Sequence, residues 1–408
     1  MLKKISTRQL RIGMHIHEVC GSWLDHPFWR SSFTLTTREQ IHQLARVDEV
    51  IIDTRKGLDI ERPPTDTAFM DDVEVELPAQ ASEVSLPDQS PLPVTRSFHQ
   101  ELAQAGQVIA QSREAMQSLF QDVRMGKAVD AEHCLPLVQD IADSVGRNPG
   151  AIVSLARLKT SDDYTFMHSV AVCALMVSLA RQLDLGEDDT REAGLAGLVH
   201  DLGKALMPPE VLNKPGALTR EEFTIMKGHP EAGHRMLVDG RGVGPIPLDV
   251  CLHHHEKING KGYPHGLQGE EISLFARMGA VCDVYDAITS NRPYKAGWDP
   301  ADSIQKMALW AREGHFDERI FQAFVKSVGI YPTGSLVKLR SGRLGVVVEQ
   351  GQGSLLAPQV KVFYSTLSQE SVPPELLDLS AVDDPIVSRE SPATWGLSQL
   401  DDLWRTPA

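Results

Sequence analysis

Between Gly150 and Ile330 the chain is almost wholly helical in its periodicity, and its most apolar helices carry ionisable residues. HSVAVCALMVSLARQL (168–183) is apolar nearly all round, the mark of a helix buried on every side, yet it opens on His168. EAGLAGLVHDLGK (192–204) carries His200 and Asp201 near its end, and MGAVCDVYDA (278–287) carries Asp283. An ionisable group in such surroundings costs roughly several kcal/mol unless it is paired or coordinated. One histidine at a helix start is ordinarily structural. Several ionisable groups in successive apolar helices make sense when they converge on cations.

The stretch HHHEKINGKGYP (253–264) belongs to the same pattern. Adjacent side chains on a helix splay about 100° apart, so three consecutive imidazoles do not share one apolar face. Alone, the triplet reads as a hydrated cluster. Set beside His168, His200, Asp201, His229 and Asp283, its His254 and His255 read as further ligands. The donors are all nitrogen and oxygen, with no cysteine pair nearby, which favours Fe or Mn over zinc. Seven donors are too many for one tetrahedral ion. They suit two divalent metal ions bridged by a carboxylate such as Asp201 and by a hydroxide.

At 408 residues the chain is expected to form two or three domains. Hydrophobic residues at 42% and charged residues at 23% point to globular structure for most of it. A net charge of -15 disfavours nucleic acid and anionic lipid as partners, while leaving room for an anionic small ligand in a local cationic clamp. Five scattered cysteines without a CxxC pair read as reduced thiols. MLKKISTRQL lacks the apolar core of a signal peptide, and the apolar run AVCALMVSLA (171–180) is too short to span a bilayer. A cytoplasmic location is expected.

Residues 1–61 read as a small α+β domain, β-β-α-β, with strands in RIGMHIHEV, FTLT and VDEVIID. Thr36 and Glu39 form a capping-box pattern before a short helix through Leu44. Residues 62–96 form an acidic linker rich in Pro and Ser. A helical connector follows at 97–149, with helices at 97–124 and 131–145 that pack on the next domain or on a second copy in a homodimer. Within 150–330, Thr219 and Glu222 make another capping box, and Pro230 suits the first turn of a helix after His229. Residues 331–408 read as a β-hairpin extension, with runs SLVKL, LGVVVEQ and VKVFY and a turn at Ser341-Gly342, then a polar tail after 366.

HDLGK (200–204), LNKPGALTREEFTIMKGHPEAG (212–233), HHE (254–256) and GYP (262–264), in this order, resemble the HD-GYP branch of the HD metal-dependent phosphohydrolase superfamily. The resemblance covers about 150–330, and the N-terminal module is similar to an accessory domain often joined to such proteins. It implies a multidomain chain with an all-α HD-type helical core, a small α+β N-terminal domain and a short β-rich C-terminal extension. The implied activity is a cyclic di-GMP phosphodiesterase that opens the ring to pGpG, and onward to GMP, by attack of a metal-bridging hydroxide.

The resemblance makes His168, His200, Asp201, His229, His254, His255 and Asp283 metal ligands. It gives Asp201 and Lys204 catalytic roles, and puts Lys204, Arg292 and Lys295 on the substrate phosphates. Lys204 is expected one helical turn beyond His200 and on the same face. The loop through Gly260, Gly262 and Pro264 would let backbone approach a ligand or a partner such as a diguanylate cyclase. Tyr164 stands where some members carry a Glu that helps hold a third metal, so two ions are expected. Lys257 and Asn259 replace the usual Arg and Asp, which bears on partner binding rather than on activity, and His253 is expected outside the ligand set. Two competing readings are a non-hydrolytic scaffold that binds cyclic di-GMP or a diguanylate cyclase, and an HD phosphohydrolase of another nucleotide.

Overall fold

The computed structural model describes residues 2–7, 10, 14–20, 33–35, 49–54, 56, 96–158, 164–214, 218–290, 297–351, 354–397 and 400–406. The chain divides into two compact units, residues 1–88 and 89–408.

In the first unit, strands β1 (Leu2–Ser6), β2 (His15–Cys20), β3 (Phe33–Thr34) and β4 (Glu49–Asp53) form an antiparallel sheet in the order β1-β4-β2-β3. Ile5, Met14, Ile16, Leu35, Val50 and Ile52 bury its apolar side. The strands expected from RIGMHIHEV, FTLT and VDEVIID are present, and β1 is additional. Its LKKIS sequence offers too short an alternation to stand out, and the pairing of Lys3 with Ile52 and Ile5 with Val50 settles it. The capping box at Thr36 and Glu39, the helix through Leu44, and the linker as far as residue 95 lie outside the described residues.

The second unit begins with α1 (Phe98–Arg124), α2 (Leu135–Arg147) and α3 (Pro149–Arg157). It continues through α4 (Tyr164–Gln182), α5 (Glu187–Val199), α6 (Arg220–Met226), α7 (His229–Val238) and α8 (Pro245–His253) to α9 (Leu274–Thr289), α10 (Pro300–Arg312) and α11 (Glu318–Val328). The helix α4 is sheathed on all sides, as its uninterrupted apolar sequence requires, with Val170, Val172, Met176 and Val177 fully buried. The connector helices α1 and α2 share this core rather than standing apart: Met116, Phe120, Val138 and Ile141 pack in one cluster with Val170, Cys173 and Val177. A buried carboxylate also ties them together. Glu101 accepts from Ser144 Oγ at 2.8 Å and from Arg147 Nε at 2.7 Å and Nη2 at 2.9 Å.

At the C-terminal end, β5 (Leu336–Leu339), β6 (Arg343–Glu349), β7 (Gln359–Ser365), β8 (Glu370–Asp378) and β9 (Ile386–Arg389) make an antiparallel sheet ordered β8-β7-β6-β5-β9. The first three are the expected runs, and Ser341-Gly342 turns β5 into β6. The region beyond 366 corrects the expected polar tail, because it supplies both edge strands. The strand β8, ESVPPELLD, is largely exposed and contains two prolines, so it shows no alternation, and prolines of this kind belong on sheet edges. The chain end is pinned as well: Trp404 is fully buried, its ring 6.1 Å from that of Phe98. No helix among the described residues is long and apolar enough to cross a membrane.

Candidate metal centre

Five segments of the helical unit deliver donors to one buried point. His168 lies one turn into α4. The helix α5 ends at Val199, so His200 is its C-cap, and Asp201 opens a 3-10 turn over Leu202–Leu206 rather than a continued α-helix. His229 starts α7, with Pro230 in its first turn, and His254 caps the end of α8 with His255 after it. Asp283 comes from the middle of α9. A glycine makes the junction between two of these segments possible. A Cβ on Gly203 would sit 2.0 Å from the carbonyl oxygen of His229, so only glycine lets the HDLGK turn press against the start of α7.

These seven side chains form two clusters of four that share one carboxylate. The first is His168, His200, Asp201 and Asp283; the second is Asp201, His229, His254 and His255. The sharing is visible atom by atom. Asp201 Oδ2 faces His168 Nε2 at 3.4 Å and His200 Nε2 at 3.6 Å. Its Oδ1 faces His229 Nε2 at 3.1 Å and His254 Nε2 at 3.7 Å. Asp283 Oδ1 lies 3.0 Å from His168 Nε2, and its Oδ2 lies 3.7 Å from His255 Nδ1.

The imidazoles are oriented from behind. His200 Nδ1 bonds to the Gly197 carbonyl at 2.8 Å, His229 Nδ1 to that of Met226 at 2.8 Å, and His254 Nδ1 to that of Val250 at 3.0 Å. A carbonyl only accepts, so the proton of each ring sits on Nδ1 and its Nε2 presents a lone pair to the centre. His168 Nδ1 is held by Asp286 Oδ2 at 2.6 Å. This arrangement leaves His200 Nε2 and Asp201 Oδ1 buried without a hydrogen-bond partner. Lone pairs facing lone pairs in a buried site are what a divalent cation resolves, and the nitrogen and oxygen donors fit one.

The electrostatics agree. Burial alone would raise the carboxyl of Asp201, but the Lys204 ammonium and the surrounding imidazoles hold it well below the usual range. Asp283 is lowered in the same way by His168 and His200 against its burial. Burial and the adjacent imidazoles push His254 well below its ordinary value, and burial takes His255 down to about 3. Anionic carboxylates and neutral imidazoles are the forms that bind cations. His168 is the exception: burial opposes its charge, but Asp201, Asp283 and Asp286 together raise it to about 10, so a cation must displace a proton there.

Lys204 is ion-paired to Asp201 Oδ2, reaching it from within the 3-10 turn. Arg292 and Lys295 lie outside the described residues. His253 turns away from the clusters, bonding Asp249 Oδ1 at 2.7 Å and His265 Nδ1 at 3.1 Å. Asn259 is structural: its Nδ2 donates to the Glu313 carbonyl at 3.0 Å, while its own backbone N–H bonds to that of Gly314.

Two residues escaped the sequence reading. Asp286 orients His168, and the signal was its position one helical turn beyond Asp283 in an otherwise apolar stretch. Glu256 is buried and accepts backbone N–H groups from His265 at 2.7 Å, Gly266 at 3.0 Å and Leu267 at 3.1 Å, closing the GYP loop on itself. A Cβ on Gly262 would meet the Glu256 Cα at 2.4 Å, which accounts for the first letter of that motif.

A helical bundle that gathers a His-Asp pair, four more imidazoles and a second buried carboxylate defines a metal-dependent phosphodiesterase of the HD class. Residues 143–320 match the HD domain, and residues 2–134 match a domain of unknown function. A cyclic di-GMP phosphodiesterase of Pseudomonas aeruginosa is 51% identical over 409 residues, covering 99% of this chain and 96% of that protein. A cyclic di-GMP phosphodiesterase response regulator of Xanthomonas campestris is 38% identical over 42% of this chain and 47% of its own. A 3'3'-cGAMP-specific phosphodiesterase of Vibrio cholerae is 34% identical over 43% of this chain and 42% of its own. The chain belongs to the HD-GYP family of cyclic di-GMP phosphodiesterases.

Proposed function

We propose that this protein hydrolyses cyclic di-GMP at a centre of two divalent metal ions, Fe or Mn, held by His168, His200, Asp201 and Asp283 on one side and by Asp201, His229, His254 and His255 on the other. The observation that carries the reading is the division of Asp201, one oxygen toward each cluster. When bound, two cations supply the positive charge that neutralises a phosphodiester and bring the pKa of water toward neutrality. The chain's part is to hold that charge in place. Asp201 and Asp283 remain anionic, the Nδ1 contacts orient the rings of His200, His229 and His254, and the surrounding helices bury both carboxylates.

Lys204, part-exposed beside Asp201, is positioned to donate to a phosphoryl oxygen as charge builds there. Arg292 and Lys295 complete the cationic clamp in this reading. The products are pGpG and, in a second cut, GMP. The GYP loop is the surface for a diguanylate cyclase, and the chain works as a homodimer or alone in the cytoplasm. The buried free thiols of Cys134, Cys173, Cys251 and Cys282 suit such a reducing compartment.

Purification without oxygen, loading with Fe or Mn, and chromatography of the nucleotide test this. Turnover of cyclic di-GMP to pGpG, lost in Asp201→Asn, is expected. Binding without turnover would favour the scaffold reading, and preferential hydrolysis of 3'3'-cGAMP would reassign the substrate.

A further inference from the structure

The helix α6 (Arg220–Met226) buries none of its residues, so its one aromatic side chain serves no core. Phe223 is 46% exposed. Its position is nonetheless fixed. Thr219 and Glu222 close a capping box at the helix start, and Lys214 Nζ anchors Glu222 at 2.6 Å. From there a chain of rings leads to the metal centre. Phe223 lies 6.4 Å from the ring of Tyr263 at 80°, and Tyr263 lies 4.7 Å from the ring of His255 at 32°. The Lys227 ammonium sits 4.9 Å from the Phe223 centroid and 5.6 Å from that of Tyr263, and it makes no ion pair among the described residues.

A part-exposed aromatic side chain and a cation held by rings rather than by a carboxylate, two ring contacts from a phosphodiester-binding centre, are the parts of a nucleobase subsite. We infer that Phe223 and Lys227 receive a purine base of the dinucleotide, an inference that rests on the proposed phosphodiesterase function. The base stacks on Phe223, and Lys227 donates to the acceptors that guanine presents at O6 and N7. Phe223 touches a base and not the reacting phosphorus, so its removal weakens substrate binding and spares the chemical step.

The test uses metal-loaded full-length protein and steady-state kinetics on cyclic di-GMP. Phe223→Ala is expected to raise KM about tenfold with kcat and metal content unchanged, on the scale of one lost base–aromatic stack. Phe223→Trp keeps a stacking face and restores the wild-type KM, which a merely structural role would not predict. Lys227→Met raises KM by a smaller factor. A KM for Phe223→Ala within about twofold of wild type, or a loss confined to kcat, would overturn the inference. Wild-type protein that leaves cyclic di-GMP intact would remove the parent function and this inference together; turnover with an unchanged variant KM removes the inference alone.

Discussion

Asp286 Oδ2 lies 2.6 Å from Nδ1 of His168, one helical turn along α9 from Asp283, which faces the other nitrogen of the same ring. The imidazole is thus gripped at both ends by one helix. Replacing Asp286 with Asn removes the charge that makes Nε2 a strong donor. Competition titration with a chelator should show metal affinity reduced by about 10- to 100-fold in Asp286→Asn. Unchanged affinity would mean that His168 needs no support from behind.

Gly203→Ala forces a methyl group into the space of the His229 carbonyl, 2.0 Å away, and the backbone must move. Overpacking of this kind costs about 1–3 kcal/mol. The movement also separates Asp201 from His229, now 3.1 Å apart. The expected result is a lower melting temperature together with less than full metal occupancy, read by calorimetry and elemental analysis. A variant that melts lower yet keeps its metal would show that the contact serves stability only.

Metal should be worth a large part of the stability of the helical unit, because two anionic carboxylates and the buried Nε2 of His200 meet inside it. A ligand at 100 times its dissociation constant adds about 2.7 kcal/mol. Addition of Mn to metal-free protein should therefore raise the melting temperature by several degrees, and Asp201→Asn should abolish most of that rise.

The pH dependence is clearest at Asp317, away from the centre. It caps α11 by accepting from the backbone of Ile320 at 3.1 Å and Arg319 at 2.9 Å, and it pairs with Arg277 Nη1 at 2.8 Å. Burial alone would raise its carboxyl, but the Ile320 N–H, the Arg277 guanidinium and the Arg319 N–H outweigh that and lower it. The folded value lies below the unfolded one, so the stabilisation is present above about pH 4 and fades as pH falls through the lowered value. Asp317→Ala should cost about 1–2 kcal/mol at pH 7, and the gap to wild type should close on acidification toward pH 3. A gap independent of pH would contradict the assignment.

The convergence of seven side chains on one buried point was legible because His168, His200, Asp201 and Asp283 fall in or at the end of apolar helices, where a solitary charge demands a partner. Periodicity likewise announced α4 and the start of β6. The supporting contacts were less visible. Glu256 gathers three backbone N–H groups from a loop whose path no periodicity describes. The strands β8 and β9 are edges whose partners, not their own sequences, define them. The merging of α1 and α2 with the catalytic helices was hidden for a similar reason: an amphipathic face tells that something covers it, but not what. Here the answer lay in the apolar cluster that Met116, Phe120, Val138 and Ile141 share with Val170, Cys173 and Val177 of α4.

The donors of the centre run from His168 on α4 to Asp283 on α9, with no two adjacent segments sufficient to make either cluster. A nascent chain therefore completes the second cluster, from Asp201 to His255, before Asp283 on α9 can complete the first. The first cluster stays open until α9 docks, so closing the pair of clusters is the last step in building the centre. Two divalent cations bound together would act as proofreaders of the finished bundle, passing over fragments and misfolded copies that present its histidines singly.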